Sequence, residues 1–214
     1  QQAVGIMRQR VNASGVSEAE ITTQGGQNIV VSIPGTPDQA TRERLMASAK
    51  MEFRSVLVMD YGIPGEDEEE GVEGLPTEAE LDTTDLGFSD FGWITQEVMR
   101  DFNSLDCTDP STMLEREPAD ADRAMVTCSA PETGPTAQPP FKFILGPIEI
   151  PGTHISNASS GLQTTAQGVQ TGQWAVNLAF DGEGTTLFRE TTTRIRQLET
   201  PRNQFAVVLD EAVI

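Results

Sequence analysis

The sequence predicts an α+β protein in which two mixed parts are separated by an irregular acidic segment. Helix-type and strand-type apolar periodicities alternate within residues 1–59 and again within 141–214. Residues 60–140 instead collect acidic side chains together with many Pro, Gly and Thr residues. We therefore expect three parts: a base (1–59), an acidic and largely irregular insert with one short helix (60–140), and a separate α+β head (141–214).

The base begins with a helix and a hairpin. Val4, Met7 and Val11 recur at i, i+3 and i+7, the spacing of one helical face. Residues 18–24 and 28–33 then have strand composition, and the two glycines between them suit a tight hairpin turn.

A second helix and a third strand complete the base. Residues 36–49 predict a helix with Thr36 as its N-cap, and MEFRSVLVM at 51–59 predicts a strand. The order is α-β-β-α-β, so one strand before residue 1 would complete a ferredoxin-like βαββαβ sandwich. The missing strand, the absence of an initiator Met and a last strand that stops after AVI lead us to expect a fragment of a longer protein.

The charge distribution excludes one class of partner. The chain carries a net charge of −19, and residues 60–132 hold 21 acidic and 3 basic side chains, a net of −18. A phosphate backbone needs a basic patch, so we expect no nucleic-acid binding. The run at 66–70 lacks the alternating oxygens of a calcium loop, which favours a solvated charge run.

Cys107 and Cys128 are the two cysteines, and both lie in the acidic segment. They suit a disulfide that closes about 22 residues and stabilises by about 3 kcal/mol; two unpaired thiols are the alternative. Two cysteines and one distant His are too few for a metal site, so we predict no metal. If the disulfide forms, the compartment is oxidising.

The remaining elements follow from periodicity. A short helix in the insert places Ile94, Val98, Phe102 and Leu105 on one face. In the head we predict a strand at 141–145, an alternating strand at 174–180, an amphipathic helix over 187–198 and a strand at 205–210. No apolar run approaches the roughly 18 residues that a membrane helix needs.

No catalytic site is predicted. His154 is the only histidine, and neither Ser156 nor Ser159 lies in a Gly-x-Ser-x-Gly elbow. We expect no enzyme and no cofactor, although a hydrolase that uses Ser156 and His154 is a remote alternative.

The motifs of the chain closely resemble the SecD family of protein-export membrane proteins, including fused SecDF forms. The first block is IMRQRVNASGVSEAEITTQGGQNIVVSIPG at 6–35, followed by MEFR at 51–54. The second block is LGPIEIPGTHISNASS at 145–160 with the VNLAF strand and FAVVLDEAVI at 205–214, which look like the family's head region. The middle segment departs from the commonest members and is similar to inserts in high-GC Gram-positive versions.

This resemblance implies a function. The chain looks like the first extracytoplasmic (P1) domain of a Sec translocon accessory subunit, which captures emerging preprotein and assists export driven by the proton-motive force. The implied partners are unfolded preprotein, SecF and the SecYEG translocon, and the parent protein is held in the bacterial plasma membrane by helices outside this sequence. Hinges between the parts are expected near 56–64 and 138–147.

Capture of unfolded chains requires exposed apolar grooves or strand edges. The candidates for contact with preprotein in the head are Ile148, Ile150, Ile155, Leu162 and Trp174. Core packing is the alternative for each of them. The alternative function is a stand-alone secreted module that binds calcium or glycan through the acidic insert.

Overall fold

The protein divides into two units. The structure is a computed structural model that describes residues 20–24, 28–32, 50–109, 112, 116, 119–130, 138–164 and 170–214. The first unit comprises residues 1–49 and 110–116, and the second comprises 50–109 and 117–214. Within the described ranges, no helix is both long and apolar enough to cross a membrane.

The described strands of the first unit form the predicted hairpin. Strands β1 (Glu20–Gln24) and β2 (Asn28–Ser32) are antiparallel, with Gln24 opposite Asn28. The turn between them and the predicted helices at the start of the chain and over 36–49 lie outside the described residues. The ferredoxin-like arrangement of the base therefore stays a prediction.

A five-stranded sheet is the centre of the second unit. Its order is β4–β5–β3–β8–β9, and every neighbouring pair is antiparallel. The strands are β3 (Met51–Tyr61), β4 (Met125–Cys128), β5 (Phe141–Pro151), β8 (Phe205–Leu209) and β9 (Ala212–Val213). The α+β class is confirmed.

Both faces of the sheet are packed. One face carries a core of buried side chains from β3, β4, β5 and β8: Val56, Met125, Phe143, Leu145, Ala206 and Val208. On the other face, Phe205 of β8 lies 6.1 Å from Phe53 of β3 and 5.6 Å from Phe188, measured between ring centroids. Phe188 belongs to helix α2 (Gly182–Ile195), whose Ile195 is also buried. A central strand covered on both faces explains the nearly continuous apolar run in the sequence of β3.

A separate hairpin leads from the sheet into α2. Strands β6 (Ile155–Thr164) and β7 (Gln170–Phe180) pair only with each other among the described strands. β7 and α2 are predicted from the sequence, whereas β6 is not. Its polar ISNASSG run lacks an apolar alternation, and it is strand because β7 supplies its hydrogen-bond partners.

The segment predicted as an irregular insert contains more structure than expected. The predicted helix is confirmed as α1 (Gln96–Ser104), with Thr95 as its N-cap. The segment also supplies β4 to the sheet. Outside β4, its described residues include five buried apolar side chains: Val72, Trp93, Ile94, Phe102 and Leu105.

Two predicted boundaries between parts of the chain lie within or at the start of strands that pair with each other in the main sheet. The base was predicted to end at residue 59, inside β3, and β3 pairs with β5 of the predicted head from Glu52↔Pro151 to Tyr61↔Phe141. Most residues of the hinges expected near 56–64 and 138–147 lie opposite one another in one sheet, and motion at these positions stays a prediction. β5 also extends six residues past its predicted end. The Gly146–Pro147 pair, which suggests a break, lies at a register shift, where a strand tolerates proline.

Candidate functional site

The β6–β7 hairpin carries a row of apolar residues on one face. Along β7, the alternate residues Trp174, Val176, Leu178 and Phe180 share a face, which follows from the period of two. Val176 is 63% exposed, Leu178 is half-buried, and both neighbours in the chain, Asn177 and Ala179, are exposed. We call these four positions the hairpin row. Burial of the exposed Val176 side chain against an apolar partner would be favourable, because it removes apolar surface from water.

One end of the hairpin row is packed onto the core. The Phe180 ring lies 5.4 Å from Phe53 in an edge-to-face arrangement and 5.4 Å from Phe188 in a stacked one. These contacts attach the hairpin to β3 and α2. The row therefore runs from a fixed aromatic cluster at Phe180 to an exposed position at Val176.

The start of α2 fixes the chain where the hairpin ends. Asp181 is the N-cap of α2 and accepts a hydrogen bond of 2.7 Å from the backbone N–H of Gly184. Its carboxylate also lies 3.1 Å from Nδ1 of His154. The Gly184 N–H and, secondly, the His154 imidazole hold the pKa of Asp181 below its usual value.

His154 and Ser156, the pair considered for hydrolysis, have structural partners. His154 pairs with Asp181, whereas Ser156 Oγ donates to the carbonyl oxygen of Ala179 across the hairpin at 3.0 Å. The first interaction holds the turn before β6 to the N-cap of α2, and the second joins the two strands of the hairpin. Neither supplies the base-to-nucleophile hydrogen bond that a hydrolase needs.

The five residues predicted to contact preprotein lie in different environments. Ile150 is 1% exposed and belongs to the core, so it offers no surface to a partner in this structure. Ile148 is half-buried and lines a groove, and Ile155 is half-buried opposite Phe180. Leu162 and Trp174 are direct cross-strand partners, which places both positions on the face of the hairpin row.

The cysteines are joined in a disulfide that ties the insert to the sheet. Cys107 follows α1 and Cys128 ends β4, with 5.6 Å between their Cα atoms. Next to this bond, Lys142 of β5 is 2% exposed, and its ammonium lies 4.7 Å from the ring centroid of Phe102. Burial lowers the pKa of Lys142.

A buried polar cluster joins the insert, the sheet and α2. Glu149 of β5, with a side chain 2% exposed, contacts Ser55 Oγ, Thr191 Oγ1 at 2.8 Å and the guanidinium of Arg194. Ser55 in turn lies 2.8 Å from Ser89 Oγ of the insert. Because these groups satisfy one another, the cluster fixes the insert loop against β3 and β5.

The acidic run has contacts that suit a solvated surface. Glu69 accepts a hydrogen bond from Nε of Arg100 at 2.8 Å, and Asp67 Oδ1 accepts one from the backbone N–H of Glu69. A search of the described ranges finds no group of three or more His, Cys, Asp or Glu side chains that could hold a metal ion.

Sequence reasoning missed two features of the second unit, the exposure of Val176 and the groove beside Ile148. Val176 stands in the predicted alternation, but its exposure depends on β6 and β7 forming a sheet of their own. The insert residues Leu86, Phe88 and Trp93 line the groove beside Ile148. The signal was available in the aromatic stretch FSDFGW at 88–93, which is unusual in a segment this acidic.

Comparisons with known proteins agree with the resemblance seen in the motifs. The family profile described as "Protein translocase subunit SecDF, P1 domain, N-terminal" matches residues 1–58. The profile described as "SecDF, P1 head subdomain" matches residues 132–214. The two matches are in the expected order and together cover most of the chain.

Curated relatives named "Protein translocase subunit SecD" match as well. The protein from Streptomyces coelicolor is 28% identical over 99% of this chain and 47% of its own length. The one from Acetobacter pasteurianus is 27% identical over 100% of this chain and 28% of its own length. The Escherichia coli K12 protein is 47% identical over 57 residues, which is 26% of this chain and 9% of its own length.

The chain spans less than half the length of these relatives. Its matches lie in the P1 region of the family, at the N-terminal part and at the head. The chain therefore belongs to the SecD family of protein translocase subunits and corresponds to its P1 region.

Proposed function

We propose that this chain is the extracytoplasmic, substrate-handling part of a Sec translocon accessory subunit. In this role it captures emerging unfolded preprotein and assists export driven by the proton-motive force, beside SecF and SecYEG. The parent protein is held in the plasma membrane by helices outside this sequence. The chain acts by binding and carries out no catalysis.

The observation that carries this proposal is the hairpin row on a strand that lies within the match to the P1 head. Val176 is 63% exposed in the middle of β7, on a two-stranded sheet that is separate from the main sheet. An unfolded chain presents apolar side chains without a fixed sequence, and an exposed apolar strand face accepts them without sequence preference. Among the described strands, each strand of this hairpin also has one edge without a neighbour, and an extended segment can add to such an edge.

The extracytoplasmic location has separate support. The Cys107–Cys128 bond fits an oxidising compartment, because reducing systems in the cytosol keep thiols free. During export a preprotein emerges on that side of the membrane, so a capturing domain located there would meet it.

The test is titration of the chain against a fluorescent, permanently unfolded preprotein segment, with and without calcium. We expect calcium-independent binding of micromolar or weaker affinity. Among the described side chains of the hairpin row, Val176 is the most exposed. Val176→Ser should weaken binding about tenfold, since burial of a Val is worth about 1.5–3 kcal/mol.

The matched control is Asn177→Ser, because Asn177 is the next residue, exposed, and on the opposite face of the same strand. It should leave the affinity unchanged. Equal affinities of the Val176→Ser variant and the unsubstituted chain would contradict the proposal, and binding that requires calcium would favour a calcium-dependent module instead.

A further inference from the structure

A groove separates the insert from the end of β5. It has a volume of about 500 Å³, within the range of about 300–1,000 Å³ that is usual for ligand sites. Its apolar lining comes from two sources: Leu86, Phe88 and Trp93 of the insert, and Pro147, Ile148 and Pro151 of β5. The first three lie between the two segments that match the family profiles.

The floor of the groove is apolar and has its polar atoms satisfied. Trp93 is 7% exposed, and its indole Nε1 donates to the carbonyl oxygen of Gly87 at 2.9 Å. Pro147 has no backbone N–H, and the N–H of Ile148 donates to the carbonyl oxygen of Ala121 at 2.8 Å. Phe88, by contrast, is 41% exposed at the rim, and its ring contacts the guanidinium of Arg194.

The walls of the groove are fixed in place before any ligand binds. Arg54 of β3 donates to the carbonyl oxygens of Arg123 and Gly146 at 3.0 and 3.1 Å, which holds one wall to the sheet. Arg202 Nε donates to the carbonyl oxygen of Ser89 at 3.0 Å and holds the other. A preformed site loses less conformational entropy on binding than one that must order itself.

The rim of the groove is acidic. The two insert segments that build it, 78–93 and 119–123, carry seven acidic side chains and a single basic one, Arg123. Arg123 is already paired with Glu78 at 2.9 Å and lies 3.8 Å from Asp122, whose side chain is 82% exposed. Hydrogen bonds from Thr84 keep the pKa of Asp82 below its usual value, so this carboxylate is charged at neutral pH.

Two further cations near the groove, Arg194 and Arg202, have partners of their own. The guanidinium of Arg194 stacks 5.7 Å from the ring centroid of Phe88 and is paired with Glu149, and that of Arg202 lies 4.3 Å from the Phe91 ring. The seven carboxylates of the two insert segments outnumber the three arginines near the groove, so the net charge around its mouth is negative.

We infer that this groove binds an apolar side chain of an extended polypeptide segment whose neighbouring side chains are Lys or Arg. The apolar floor takes the central side chain, and the acidic rim takes the flanking cations. This inference rests on the proposed capture of unfolded polypeptide, and it adds a charge-selective contact made by the insert. The insert is then part of the substrate-binding surface.

The test uses the whole chain and short fluorescent peptides in which a three-residue core is flanked by Gly and Ser. The cores are Lys-Leu-Lys, Lys-Ser-Lys and Glu-Leu-Glu, and affinity is measured by fluorescence anisotropy at low and at physiological salt. We expect Lys-Leu-Lys to bind about tenfold more tightly than either of the others, and its advantage over Glu-Leu-Glu to shrink as salt rises.

Two variants locate the binding. Ile148→Ser reduces the apolar lining and should weaken Lys-Leu-Lys binding about fivefold or more. Asp122→Asn is exposed and does not disturb packing, so it tests the charge without loss of folding, with an expected weakening of about two- to fivefold. Asn177→Ser, exposed and outside both the groove and the hairpin row, should leave peptide affinity unchanged.

The outcomes separate this inference from the proposed function. Equal binding of Lys-Leu-Lys and Glu-Leu-Glu, or full affinity in both groove variants, overturns the groove. If Val176→Ser alone abolishes peptide binding, the hairpin carries all capture and the groove inference is wrong while the proposed function stands. If groove variants weaken the peptide and Val176→Ser weakens only the long unfolded segment, the two sites are distinct, as inferred.

Discussion

Replacement of Arg54 tests how the insert is held to the sheet. Arg54 is part of the MEFR motif and is 1% exposed. Its guanidinium donates to the carbonyl oxygens of Arg123 at 3.0 Å, Gly146 at 3.1 Å and Asp120 at 3.3 Å, and pairs with Glu52 at 3.0 Å. Arg54→Met keeps most of the side-chain volume and removes all four interactions.

The expected loss of stability is large. Removal of one member of a buried ion pair costs about 3–5 kcal/mol, because the remaining groups are left without partners. Glu52 is 17% exposed and recovers part of its hydration, so we expect about 3–4 kcal/mol for Arg54→Met. Arg54→Lys keeps the charge but lacks the planar fork that reaches several carbonyls, and should cost about half as much.

Urea unfolding followed by tryptophan fluorescence and circular dichroism measures these losses. The matched control is Arg100→Met, since Arg100 makes an exposed pair with Glu69, and exposed pairs contribute little to stability. If Arg54→Met destabilises the chain no more than Arg100→Met does, the assigned role of Arg54 is wrong.

Three further predictions follow from single features of the second unit. Cys107→Ser with Cys128→Ser opens a loop with a sequence separation of 21 and should lower the free energy of unfolding by about 3 kcal/mol, which calorimetry would measure; a loss below about 1 kcal/mol would contradict it. Gly146→Ala adds a Cβ that clashes with the carbonyl oxygen of Phe88 in the insert, so it should lower the free energy of unfolding and make Trp93 more accessible to acrylamide quenching. Unchanged quenching would count against the packing described. The pKa of Asp181 is lowered in the folded state, so its stabilising contribution is present above its unfolded pKa and is lost as pH falls through its folded pKa. The difference in melting temperature between the unsubstituted chain and Asp181→Asn should therefore shrink on acidification. A difference that grows would refute the assignment.

Periodicity predicted the elements that have a distinct apolar face. Residues 174–180 alternate between apolar and small or polar side chains, and the apolar row is packed at Phe180 but exposed at Val176. Phe102 of α1 and its C-cap Leu105 are buried at helical spacing. Both patterns are local, so they can be read without knowledge of the partner. β6 shows no such pattern, because its strand conformation depends on β7.

Connectivity was harder to predict than the elements. The sequence places β3 among base elements, but its hydrogen-bonded neighbours are β5 and β8, from the far end of the chain. The order of strands in a sheet depends on tertiary contacts that adjacent residues do not encode. The acidic composition of the insert likewise hid its buried apolar residues, because charge counts describe the solvated surface and say little about the few side chains that pack.

The candidate site was predicted in part. The motifs indicated the family, and Leu162 and Trp174 lie at one register position of the hairpin row. Ile150 was chosen for its apolar character and lies in the core at 1% exposure. Hydrophobicity alone does not distinguish an exposed apolar residue such as Val176 from a core residue, because exposure depends on the fold.

Site-specific photo-crosslinking in the full-length parent protein tests the central claim most directly. A photoreactive amino acid is placed at position 176 or at position 177, and a secretory preprotein is arrested during export. The account predicts a crosslink to preprotein from position 176, on the apolar face, and little or none from position 177, on the opposite face. Equal crosslinking from both positions, or none from position 176 while export proceeds, would contradict capture by the hairpin row.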